Sequence, residues 1–263
     1  MAPHGGRLTA TLAQMSAQSA QPSQPLQPVG VVLLRTLAFY SRHVRLVLLV
    51  TLPVVAFVDV VLAAGLGELT ASVHKSIPTA DGYLDLAASE FVTIPLVTAI
   101  LARAVIIDLT SDVRPRARDV VLQGLDLFVP AFVAVLLFVS GVLFGFFLLV
   151  IPGIYLAVSW YFVVQAAVVD GLRGTATINT STMLVRGRWW HSAGVGLCFQ
   201  LAVGIPSLVA ADVFESLARA ANSDALIVIG NVLIDTVALP FVAIGATLYY
   251  LELRRLAGLS TAR

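Results

Sequence analysis

Apolar and polar positions in this chain fall into long blocks. The longest apolar block, Leu127–Val169, contains no Asp, Glu, Lys, Arg or His and is closed by Asp126 and Asp170. At a rise of ~1.5 Å per residue one helix of that length would be about twice as long as a ~30 Å hydrocarbon core. Near its middle, Leu149-Val150-Ile151-Pro152-Gly153-Ile154 carries a Pro-Gly turn signal. The block predicts a membrane hairpin, with spans over Leu127–Val150 and Ile154–Val169 joined by a tight turn at Pro152-Gly153. Four further apolar blocks, Leu46–Leu66, Phe91–Ile107, Ser192–Val213 and Ala225–Leu251, complete the pattern. The expected fold class is all-α: a polytopic membrane bundle of six transmembrane helices over residues 29–256, between tails at 1–28 and 257–263.

The polar stretches between these blocks differ in character. Met1–Pro28 is rich in Ala, Gln, Ser and Pro, has no apolar signal-like core, and is expected to be a disordered tail. Val29–Arg45 mixes Val31, Leu34, Leu37 and Val44 with Arg35, Arg42, His43 and Arg45. It reads either as an amphipathic segment lying at the interface or as an extension of the first span into water. Gly67–Glu90 reads as a polar loop, and Asp108–Asp126 as an Arg-bearing, amphipathic lead-in to the hairpin. Asp170–His191 reads as a loop ending in Trp189-Trp190, and Phe214–Asp224 as a short loop. On span three, Gly141 and Gly145 form a small-xxx-small pair, suited to close helix packing.

Composition agrees with this layout. Apolar residues make up 59% and charged residues 12%, against roughly 45–50% and ~25% in soluble domains, which argues against a large soluble core. A net charge of +1 without a dense basic stripe leaves no electrostatic case for nucleic acid. Cys198 is alone, so neither an intramolecular disulfide nor a cysteine-based metal site is available. Fifteen Arg stand beside the single Lys75, the bias expected of a GC-rich bacterium. Thirteen of the arginines fall on one side of the predicted topology, with Lys75 and Arg219 on the other. The positive-inside rule then places both termini in the cytoplasm of a multi-pass protein of the bacterial plasma (inner) membrane. Trp189-Trp190 and Tyr249-Tyr250 fall where interfacial aromatic belts are expected.

A weak threefold repeat emerges. Three times an Arg-bearing segment leads into an ascending span and a descending one. Each descending span carries Pro (Pro95, Pro152 or Pro240) and ends in an acid: Asp108, Asp170 or Glu252. A carboxylate at a helix C-terminus meets the negative end of the macrodipole, at a cost of ~0.3–1 kcal/mol. It could be offset by capping the next interfacial helix or by pairing with a nearby Arg. Two readings follow: a ring of three carboxylates at the cytoplasmic mouth of the bundle, or three corner residues that turn the chain from span to surface.

Three charges fall within spans. Arg103 is close enough to its span end to snorkel. Asp59 and Asp235 lie deeper, where an ionisable group is a functional candidate. They are either proton or cation ligands, or neutral groups bonded to small polar neighbours such as Thr236 or Asn231. No His-Glu-x-x-His, Gly-x-Ser-x-Gly or phosphate-loop motif occurs. His4, His43, His74 and His191 lie in tails or loops without ligand spacing. No catalytic residue, metal or cofactor is expected.

Ile151-Pro152-Gly153-Ile154-Tyr155, Trp160, Val168-Val169-Asp170-Gly171 and Ser181 with Leu184-Val185-Arg186-Gly187-Arg188-Trp189-Trp190 form one distinctive stretch. Ala246-Thr247-Leu248-Tyr249-Tyr250-Leu251-Glu252-Leu253-Arg254 forms another. Both resemble a bacterial membrane-protein family that includes the membrane domain attached to some glycerophosphodiester phosphodiesterases and related proteins of uncharacterised function. The likeness covers spans three to six. Two departures stand out: Asp170 replaces the family's usual Glu, and Thr175–Thr182 is Thr/Ser-rich where the family has a basic helix, which predicts poor helix formation there. The resemblance implies a six-helix inner-membrane protein linked to phospholipid or membrane physiology, without the phosphodiesterase domain. The expected function is a non-enzymatic scaffold or accessory module whose partners are membrane lipids and an unidentified membrane or cytoplasmic protein. The alternative is a small secondary transporter or channel using Asp59 and Asp235.

Overall fold

A computed structural model describes residues 27–66, 80–111, 115–223 and 225–259, with side chains at 59–66 and 80–90 excepted. The expected N-terminal tail lies almost wholly outside the described residues. Among those described the chain is helical with no strand: α1 (Val29–Arg42), α2 (Val44–Leu66), α3 (Ala80–Thr110), α4 (Ala117–Asp126), α5 (Phe128–Leu148), α6 (Val150–Ser159), α7 (Val163–Val169), α8 (Thr175–Val185), α9 (Trp189–Ala221) and α10 (Ala225–Leu256). Five stretches are long and apolar enough to cross a membrane: Phe91–Thr110, α5, Val150–Val169, α9 and α10. A sixth candidate is α1 with α2, bent by 84° at their junction. The 23-residue α2 is about 34 Å long and can span by itself. The protein is a helical, multi-pass membrane bundle.

The 84° bend separates the two readings of Val29–Arg45. With α2 along the membrane normal, α1 lies nearly in the membrane plane, so it does not prolong the span. Its buried stripe is Val32, Thr36 and Phe39, one helical face. The other two lead-in segments are helices as well. Thr175–Thr182, expected to be a poor helix former, is helical in α8 because its hydroxyls are used in the fold. Thr177 Oγ donates to the Gly174 carbonyl at 2.6 Å, and Ser181 is fully buried. Tertiary packing has overridden propensity.

Several boundaries differ from the sequence reading. The predicted loop 67–90 is helical from Ala80 onward, and the predicted loop at Phe214–Asp224 is helical through Ala221. The hairpin turns at Leu149, a single extended residue between α5 and α6 (φ −166°, ψ 152°), and not at Pro152-Gly153. Pro152 sits in the first turn of α6, where a backbone N–H has no intrahelical acceptor. Gly153 lets α5 and α6 approach: a Cβ there would come within 2.5 Å of the Phe146 ring, and one at Gly145 within 3.0 Å of Gly153 Cα. Gly141 and Gly145 thus serve packing inside the hairpin.

The helices interlock cyclically. The descending spans α3, α6–α7 and α10 form the centre. Each ascending helix packs between its own descending partner and that of the preceding repeat: α2 on α3 and α10, α5 on α7 and α3, α9 on α10 and α6. The lead-in helices follow the same rule, with α1 on α10, α4 on α3 and α8 on α7. Val47, Val97, Leu101, Val105 and Ile244 form one core cluster; Phe162, Ala166, Phe199, Tyr249, Tyr250 and Leu253 form another. The outer surface is apolar, with Phe147 87% and Ile151 82% exposed. Surface of that kind is suited to lipid and not to water.

Candidate functional site: the charged end of the bundle

The three acidic ends of the descending spans lie at the Arg-rich end of the bundle, and each is met differently. Asp170 closes α7 and is met by two side chains of α10, one by a hydrogen bond and one by an ion pair. The Tyr250 hydroxyl donates to Oδ2 at 2.5 Å, and Arg254 Nη1 lies 3.1 Å from Oδ1. Tyr250 and Arg254 are four residues apart on one helix face, which is why both reach the same carboxylate. The side chains of Arg254 and Asp170 are only 9% and 13% exposed. The two stretches that carry the family resemblance therefore meet in this cluster. Tyr249 and Tyr250 are core residues, 1% and 0% exposed, not members of an interfacial belt. Trp190, at 83% exposed, has the exposure expected of a belt residue.

Asp108 is bound by the junction of the first repeat, with His43 Nε2 3.1 Å from Asp108 Oδ1. His43 is 8% exposed and its Nδ1 lies 3.3 Å from the Phe39 carbonyl. Glu252 is held within its own helix, its carboxylate accepting from Arg255 Nη2 at 2.8 Å and Nε at 3.1 Å. None of the three acids caps a following helix: Asp108 and Glu252 lie inside α3 and α10, and the N-cap of α8 is Gly174. Pairing with a basic side chain is the device used, but for Asp108 and Asp170 the partner comes from elsewhere in the bundle and not from the next loop.

Beneath Asp170, span four is broken at residues 160–162 between α6 and α7. Ser181 of α8 mends the break, donating to the Ser159 carbonyl at 2.8 Å and accepting from Phe162 N–H at 3.2 Å. Arg186 and Gly187 are exposed and form the turn from α8 to α9. Gly187 sits at φ +81°, a backbone state that favours glycine. Ser181, Tyr250 and His43 are the members of this region that spacing alone did not single out as sites. Sequence alone reads Tyr250 as a belt residue and as part of the C-terminal stretch that carries the resemblance, not as a partner of Asp170.

The deep carboxylates stand apart from this end. Asp59 lies in α2 with its side chain outside the described residues. Asp235 is half-buried in α10 and engaged with a neighbour. Two clefts flank α1. One, of about 890 Å³, is lined by α1, the end of α3 and the end of α10. The other, of about 450 Å³, is lined by α1, α9 and α10 and is almost wholly apolar. Neither is lined by Asp235 or, among the described side chains, by a residue of α2. Among the described residues no group of three or more His, Cys, Asp or Glu is arranged to hold a metal ion. Chemically, the Asp170 cluster joins spans four and six through one hydrogen bond and one shielded ion pair. No known family profile matches the chain, and no curated protein or solved structure is similar to it.

Proposed function

We propose that the protein is a non-enzymatic membrane module, a scaffold or accessory component in envelope or phospholipid physiology. In this reading it resides in the bacterial inner membrane with both termini cytoplasmic. The observation that carries the reading is the engagement of all three corner acids by basic side chains of the same chain. Carboxylates committed to pairs within the chain are not free to pass protons or ions, whereas a transport mouth would leave them unpaired and facing water. The resemblance in spans three to six supplies the link to phospholipids, and its two stretches converge on the Asp170 lock.

The test is purification of the tagged full chain from native membranes, with mass spectrometry of co-purified protein and lipid, alongside flux measurements in proteoliposomes. A companion retained in constant proportion, with no solute-driven flux, is the expected result. Flux that disappears in the Asp59→Asn/Asp235→Asn double variant would replace this reading with a transporter.

A further inference from the structure

The larger cleft carries a second feature. Arg35, Ala38 and Arg42 stand at i, i+3 and i+7 on α1, one stripe of the helix, and all three line the cleft. Arg255 lines it from α10, and Glu252 is its one acidic lining residue. Among the described residues neither Arg35 nor Arg42 has a carboxylate within ion-pair distance, so the cleft presents three guanidiniums against one carboxylate. Its remaining wall is largely apolar, including Val32, Phe39, Leu248 and Leu251. Ala38, between the two arginines, is small enough to leave the space open.

The other flank of α1 fixes the depth of this cleft. Leu37 and Tyr40 line the second, apolar groove beside Pro206 and Phe241, while Leu34 is 67% exposed. A helix lying in the membrane plane with leucines on one flank and arginines on the other directs the leucines to the acyl region and the arginines to the headgroups. Guanidinium is well suited to phosphate oxygens, which it can bind in a two-pronged fashion. Basic pockets between membrane helices at this level suit anionic headgroups.

We propose that the cleft between α1 and the ends of α3 and α10 holds the phosphate headgroup of an anionic phospholipid from the adjoining leaflet. Arg35 and Arg42 bind the phosphate and the apolar wall receives the start of an acyl chain. The proposal deepens the lipid-linked part of the function above and rests on it for the membrane setting alone; lipid affinity and partner retention are separate measurements, so either can fail without the other.

The test is titration of the purified full chain in detergent with phosphatidylglycerol, phosphatidylcholine or inorganic phosphate, followed by native mass spectrometry. The expected result is preference for phosphatidylglycerol over phosphatidylcholine. That preference should fall about fivefold for Arg35→Gln or Arg42→Gln alone and about thirtyfold for both. Ala38→Leu, which fills the cleft and keeps the charge, should weaken phosphatidylglycerol as well. Glu252→Gln should strengthen it by releasing Arg255. Monodispersity and an unchanged unfolding temperature confirm that the variants are folded. Equal retention of the two lipids, or wild-type retention by the double arginine variant, would overturn the proposal. So would competition by inorganic phosphate at the lipid's own concentration, which would mark the site as one for soluble phosphate.

Discussion

Asp170 and Glu252 occupy the same place in the repeat, each the acid at the end of a descending span, yet they do different work. Asp170 is clasped by Tyr250 and Arg254 from the neighbouring span, 80 residues away in sequence for the tyrosine, and its cation Arg254 is only 9% exposed. Glu252, itself shielded, pairs among the described residues with Arg255, three residues along its own helix and 51% exposed, and it lines a cleft. The reason lies in what the adjacent span supplies. In the cyclic arrangement α10 sits beside α7, and α3 sits beside α10. Two positions before and after Glu252, α10 carries Tyr250 and Arg254; the corresponding positions around Asp108 in α3 are Ile106 and Thr110. Glu252 therefore meets no cross-span donor pair of the kind that holds Asp170. A repeated acid becomes a lock only where the next helix brings a hydroxyl and a cation.

The sharpest way to break this contrast is to remove the lock. Asp170→Ala leaves Arg254 enclosed without its carboxylate, and loss of one member of a buried ion pair costs about 3–5 kcal/mol. Unfolding of the purified protein in mixed micelles should report that loss. The paired Asp170→Asn/Arg254→Gln variant should recover a large share of it, because neither charge is stranded. Equal losses in the single and paired variants would mean that the charges are not coupled, and the lock would be dismissed.

A smaller effect is expected one layer below. Ser181→Ala removes the hydroxyl that serves both Ser159 and Phe162 at the break in span four. The cost should be about 1–3 kcal/mol, read by the same unfolding measurement. Ser181→Thr, which keeps the hydroxyl, should lose less. This serine also marks where legibility in sequence ends. The uncharged block Leu127–Val169 disclosed the hairpin, because charge-free length is a direct consequence of lipid burial. The Arg-bearing segments disclosed the lead-in helices α1 and α4 for a similar reason: amphipathicity is written locally. The helix at Thr175–Thr182 was illegible because its stability comes from a bond to a break 22 residues earlier in the chain. The turn was misplaced for the opposite reason. Pro-Gly is a local turn signal, but here Pro152 exploits a helix start and Gly153 a close helix contact. The acids Asp108, Asp170 and Glu252 were visible as corners, while their partners were not, since His43 and the pair Tyr250 and Arg254 are set by which helices become neighbours.

The least costly change should be at Glu252. Its partner Arg255 is half exposed, so water takes over much of what the pair supplies, and Glu252→Gln should cost less in unfolding than Asp170→Ala. A second variant separates locality from mere exposure. Ile106→Tyr/Thr110→Arg places on α3 the donor pair that α10 offers Asp170. If cyclic packing decides what a corner acid does, the new pair should draw Glu252 away from Arg255. Glu252→Gln should then become more destabilising in that background than in the native one, a coupling readable from a double-mutant cycle. Absence of coupling would show that spans four and six hold Asp170 through a geometry peculiar to that corner, and the comparison between the corners would lose its structural basis.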